Sequence, residues 1–438
     1  MEKQHISFAA ACAVLVLCHQ AAGQEELEAA PWTTNAPIVT VKQELYVKQP
    51  RESVAANIWT FYVGPDLQRV ELHSSEAASD VWTERKRRFS YDNGRTWTDF
   101  EPISSTAFQV KGVTVWEWDW ADPVYDPASG LLVRLWNRQL LVDGKWQMFA
   151  YYRTSGDSGR TWTEPTLLKY EPGDDFDPAD PLRETFLRNN QAQPGFVIRL
   201  RESGKLVVAA CLANAPDDPE NDERAWKLGA LCWVGEWDAD RQKYRWTAGE
   251  RVQIAPDLSS RGLLEADLAE LNDGRIIVVW RGSNTATTPG RKWFSLSSDG
   301  GLTLTTPAEW KYDDGSRFYS PSSYHRLVRH SVTGKLYWLG NICTEPPDGN
   351  SPRYPLVIAE VDEQSAALKK ATVTRVDDRQ PDQGPALQLS NFSFFENRES
   401  HEFEVYLTKY GEDANDWRNA GVYKYRLGLT ESVGEETR

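Results

Sequence analysis

The sequence predicts an all-β fold, a six-bladed β-propeller of four-stranded antiparallel blades, on three observations. One phrase recurs: "SYDNGRTW" from Ser90, "SGDSGRTW" from Ser155 and a worn copy, "SSDGGLTL", from Ser297. The first two copies are 65 residues apart and the next lies 142 further on, twice 71, so one copy between has decayed. Alternating or apolar runs pass through "NDG", "ESG", "TGK" and "ASG", which are hairpin turns. No long helical period interrupts them. A repeat of about 69 residues gives six units, and antiparallel units repeated radially make a propeller.

Residues 1–23 read as an export signal, with "ISFAAACAVLVLC" too short to span a bilayer and Ala21-Ala22-Gly23 as a cleavage site. Residues 24–37 are a linker, and 38–438 form one propeller domain. The strand "IVTVKQELYV" (38–47) stands before the first unit, and the last unit lacks an outer strand. The first is therefore expected to complete the last blade and close the ring. Within each unit a hairpin (strands A and B) is followed by strand C, the recurring phrase and a short strand D. "VGEWDADRQKYRW", "LVIAEVDEQSAAL" and "AGVYKYRLG" fill the places where the phrase is lost.

The phrase itself reads as a fold device. Its Asp accepts hydrogen bonds from its own turn, its Gly takes a left-handed conformation, and its Trp packs between blades. Asp92, Asp157 and Asp299 are thus structural. Strand order then puts these turns at one end of the ring. The starts of A, the ends of B and the starts of C lie at the other, where functional residues are sought.

Composition narrows the partners. The net charge of −15 disfavours nucleic acid. No later stretch is long enough to cross a membrane, so a secreted or periplasmic, monomeric chain is expected. Cys211, Cys232 and Cys343 follow the signal and form neither a disulfide framework nor a zinc pattern, so no metal or cofactor is expected. Cys211 and Cys232 lie on neighbouring strands, as one bridge or as buried thiols. The 19 Trp and 17 Tyr mostly serve packing, and a few suit stacking on a sugar ring.

The functional end collects Arg51 at the first A strand and His73, Glu76 and Asp80 in the loop "HSSEAASD". Trp118 and Asp119 open the second unit. Glu265, Arg281 and Arg291 belong to the fourth, Tyr319, Ser322, Asn341 and Arg353 to the fifth, and Ser390, Asn391, Tyr410 and Glu412 to the sixth. Arginines suit a bidentate anionic group, and opposed carboxylates suit glycosidic acid–base chemistry.

The repeated phrase resembles the Asp-box (BNR) repeat of the sialidase superfamily, whose members are six-bladed propellers. That resemblance implies Arg51, Arg281 and Arg353 as a clamp for a substrate carboxylate, Asp80 as acid/base and Glu265 as the group polarising a nucleophile or water; "LLEADLAELNDGRIIVVWR" is similar throughout. The family's nucleophilic tyrosine opens the last blade, where this chain has "QLSNFSFF"; Tyr319 and Tyr410 are the nearest candidates. Arg291, Trp118, Asp119 and Asn341 complete the expected substrate contacts. The reading is an exported exo-glycosidase acting on an acidic glycan. A carbohydrate-binding propeller without catalysis, or a polysaccharide lyase using His73 and Tyr410, are the alternatives.

Overall fold

The computed structural model describes residues 30–104, 107–212 and 229–430; the expected export signal lies outside them. Six antiparallel sheets follow one another along the chain. Blade one runs through Ala55–Tyr62, Arg69–Ala78, Val81–Ser90 and Glu101–Pro102, and blade four through Leu264–Glu270, Ile276–Arg281, Lys292–Ser297 and Ala308–Glu309. Blades two, three and five each carry a fifth short strand. Among the described residues helix is confined to short turns such as Pro31–Thr34 and Glu184–Leu187.

The leading strand Val39–Val47 pairs antiparallel with Val422–Leu429, the third strand of blade six. The expected closure is what the structure has. This joins the two ends of the propeller by main-chain hydrogen bonds and leaves no blade short of an edge. Six apolar clusters each draw on two neighbouring blades, so the core is a ring of interfaces. Those flanking blade one are smaller and mix in buried ion pairs such as Arg69–Glu404 at 3.0 Å.

The recurring turn has the same bonding three times. Ser90 Oγ donates to Asp92 Oδ1 at 2.9 Å and accepts from the Gly94 amide at 2.8 Å. The Thr96 amide and hydroxyl donate to the two Asp92 oxygens at 2.8 and 2.6 Å. The corresponding amide and hydroxyl bonds measure 2.9 and 2.6 Å at Thr161–Asp157, and 2.9 and 2.7 Å at Thr303–Asp299. Gly94, Gly159 and Gly301 have φ of 84°, 80° and 102°, where a Cβ is disfavoured. Strand pairing sets these turns at one end. Ser90 lies across from Arg69 at the start of its B strand, whereas Glu76 at the other end lies across from Ala55.

Cys211 and Cys232 are out of register, opposite Ala230 and Ala209, and no disulfide joins them. Burial pushes the Cys232 thiol up to about 12.

Candidate active site

At the end opposite the repeated turns, five segments converge. Arg281 closes the B strand of blade four, and the start of that hairpin brings Glu265 to it. Arg281 Nη1 donates to Glu265 Oε2 at 2.5 Å, Nε donates to Ser322 Oγ at 2.9 Å, and Nη2 to Asn350 Oδ1 at 3.3 Å. Arg261 donates to the same Asn350 oxygen at 2.8 Å. Lys292 is buried behind them, and its ammonium donates to the Ser323 and Pro321 carbonyls, which fixes the segment bearing Ser322.

Backbone pairing carries the line into blade six. Arg353 pairs with Gln388, and Gln388 pairs with Tyr410. The Arg353 guanidinium donates to Gln388 Oε1 at 2.7 Å. Its pKa falls to about 10, first through burial and then through the nearby Arg281 and Arg261, while Glu265 and Asp80 work the other way. Three guanidiniums, those of Arg353, Arg281 and Arg261, thus gather at this place, and such forks suit an anionic guest.

Beside the arginines, the buried Tyr410 hydroxyl donates to Glu76 Oε2 and accepts a 2.8 Å hydrogen bond from Asn57 Nδ2. Burial raises the Glu76 carboxyl, with the neighbouring Asp80 charge adding to it. Burial and the Glu76 charge raise the phenol well above its usual value. Asp80 is solvent-exposed, its amide donates to Glu76 Oε1 at 2.8 Å, and its charge acts on Tyr410, Arg261 and Arg353. Asp80 and Glu265 both have positive φ, 60° and 42°. Such backbone strain concentrates at functional sites. Trp82 lies across the strand pair from Glu76, and Trp118 packs edge-on against Trp82 with ring centroids 6.4 Å apart, so Trp118 borders the site.

The structure does not gather every expected residue here. Arg51 pairs with Glu84 at 3.0 Å on the surface, while the charge of Arg261 acts on Arg353. Glu265 orients Arg281, and it is Glu76 that meets a tyrosine. Arg291 pairs with Glu309 on the outer strand of blade four, and the Tyr319 charge acts within that same group. Their distance from the mouth follows from strand alternation: Lys292 turns inward, so Arg291 turns outward. Asp119 is held by Arg134 and Arg153 between blades one and two. Asn341 is fully buried, and its Nδ2 donates to the carbonyls of Arg353, Pro355 and Leu389, so it ties segments together below the site. His73 bonds Glu71 and packs on Phe100, away from Tyr410.

Glu76 lies within the loop the sequence singles out, but nothing in the sequence pairs it with Tyr410. Arg261 and Gln388 carry no sequence signal at all. Among the described residues no cluster of three His, Cys, Asp or Glu could hold a metal, and no helix is long and apolar enough to cross a membrane.

No family model matches the chain, and no curated protein matches it. Among solved structures, a protein of unknown function from Dyadobacter fermentans DSM 18053 superimposes with a TM-score of 0.56 at 14% identity, over 89% of this chain and 99% of that one. An α-L-arabinofuranosidase of Fusarium graminearum with arabinobiose gives 0.47 at 13% identity, over 89% and 98%. A sialidase gives 0.29 at 14% identity, over 90% of this chain and 33% of that one. The first of these supports the fold; the other two overlap too loosely to bear on this chain.

Proposed function

We propose that this chain is an exported glycoside hydrolase that removes an acidic sugar from the end of a glycan. The observation that carries the reading is the Tyr410–Glu76 hydrogen bond beside Asp80 and the guanidiniums of Arg281, Arg353 and Arg261. Arg353 and Arg281 hold the sugar's anionic group. Asp80, at the exposed edge, protonates the leaving glycosidic oxygen and then deprotonates water. The Tyr410 oxygen attacks the anomeric carbon as its proton passes to Glu76, whose raised basicity suits that transfer; the water activated by Asp80 then displaces the Tyr410 oxygen, which regains its proton from Glu76. A neutral phenol approaches an anionic sugar without the repulsion a carboxylate nucleophile would meet. Glu265 and Ser322 keep Arg281 in place.

A binding-only propeller is the second reading, favoured by the deep burial of Tyr410. A panel of acidic oligosaccharides, followed by mass for released monosaccharide and by ultraviolet absorbance for unsaturated product, tests both. Hydrolysis lost in Asp80→Asn supports the hydrolase. Tight binding without any product supports the second reading, and unsaturated product overturns both.

A further inference from the structure

A second group of arginines lies outside the candidate site, in a cleft between blades one and two of about 270 Å3. Asp119 sits at its centre. It accepts from Arg153, lies 3.2 Å from Arg134 Nη1, and acts electrostatically on Arg85. The other charged residues of the lining are occupied. Arg87 bonds Glu101 at 3.2 Å and the carbonyls of Gly159 and Arg160, while Glu117 takes Arg138 at 2.5 Å. Three guanidiniums, those of Arg85, Arg134 and Arg153, therefore lie around Asp119, with Asp122 acting less strongly on Arg134.

The surplus is visible atom by atom. Among the described residues, Arg85 makes no side-chain hydrogen bond or ion pair, and the buried Arg153 Nε has no partner. Burial holds the Arg85 guanidinium low and brings Arg134 to about 10; the Asp119 charge opposes this and the Arg153 charge adds to it. Partly buried cations that outnumber their counter-charges are costly, and an added anion lowers the cost.

The walls are flat rings. Arg153 stacks on Trp136 at 4.1 Å and on Trp162 at 5.0 Å, and Phe108 stands half-exposed at the edge. Trp136 keeps a buried indole N–H without a partner among the described residues. Cations, a spare indole donor and aromatic edges in one cleft suit a polar ring bearing one anionic group. The volume lies near the lower limit of small-molecule pockets, about 300 Å3, which fits one ring and excludes a chain.

We infer that this cleft binds a single carboxylate- or sulfate-bearing sugar unit through Arg85, Arg134 and Arg153. It is an ancillary site, separate from the mouth and independent of turnover there. Titration calorimetry on the full chain tests it, with glucuronate, galacturonate and N-acetylglucosamine 6-sulfate as probes, galactose as the neutral control and sodium sulfate as competitor. At least one acidic probe should bind saturably in the ~millimolar range. Arg85→Gln, at a side chain that bonds nothing in the fold, should weaken it about tenfold or more at unchanged melting temperature. Arg353→Lys should leave it unaltered, and galactose should not bind. Displacement by sulfate alone identifies the anion as the recognised group. Absence of binding by all three acidic probes overturns the inference. So does wild-type binding in Arg85→Gln, or loss of binding in Arg353→Lys, which would assign it to the mouth. Binding that persists when no acidic glycan is ever cleaved leaves this site standing and removes the hydrolase reading.

Discussion

The two ends of the propeller are built on opposite rules. At one end the same eight-residue turn appears three times with the same serine, aspartate and threonine bonds. At the other no turn is repeated: Asp80 and Glu76 come from blade one, Arg281 and Glu265 from blade four, Arg353 from blade five and Tyr410 from blade six. A C–D connection has one local task, closing its own blade, so that end is served by copies in three of the blades. Chemistry on one substrate needs unlike groups around one point, so that end is served by the positions at which the copies differ.

Mutations should divide along that line. The largest effect is expected at the tyrosine: Tyr410→Phe should cut turnover of a cleaved acidic glycan by about 10⁴-fold, with melting still cooperative. A Tyr410→Phe enzyme of full activity would leave the mouth without its nucleophile. Asp80→Asn should slow kcat by about 10²–10⁴-fold while KM changes little. The outcome is sharper if a substrate with a good leaving group restores part of the rate, since such a group needs no proton.

Arg353→Lys should raise KM by about tenfold and alter kcat less, because a point charge cannot replace a planar fork. Steady-state kinetics read the split, and an unchanged KM would detach the arginine from the substrate. At the opposite end Asp157→Ala should lower the melting temperature by only a few degrees through its lost turn bonds, with turnover per folded molecule unaltered. Abolished turnover in that variant would erase the division between the ends.

The smallest effect is one of pH. Hydrogen bonds from the Thr96 hydroxyl, then from its amide, lower the Asp92 carboxyl from 3.8 to about 2. A lowered carboxyl contributes stability that is complete above 3.8 and is lost as pH falls through about 2. The melting difference between the natural chain and Asp92→Asn should therefore be constant above 3.8 and close as pH approaches 2. A difference that widens in acid would contradict the bonding seen in the turn.

The sequence by itself determined the ring. The phrase, its period and the spare strand 38–47 are local patterns, and each is satisfied within a blade or by pairing along a strand. Hence the six blades and the closure by Val39–Val47 on Val422–Leu429 were legible. Glu265 and Arg281 were legible as residues at the same end of one hairpin, but that they bond each other was not. Only the tertiary structure decided the rest of the site. The Glu76–Tyr410 bond spans 334 residues, and no local pattern encodes a partner that far away. Side chains also alternate across a strand, so a shift of one residue exchanges the two faces. Arg291 thereby reaches the outer strand at Glu309 while Lys292 is buried behind the arginines of the mouth, and Asp119 turns into the cleft between blades one and two. Which of two adjacent residues looks inward is set by the register and twist of whole blades, and these exist only once the ring has closed.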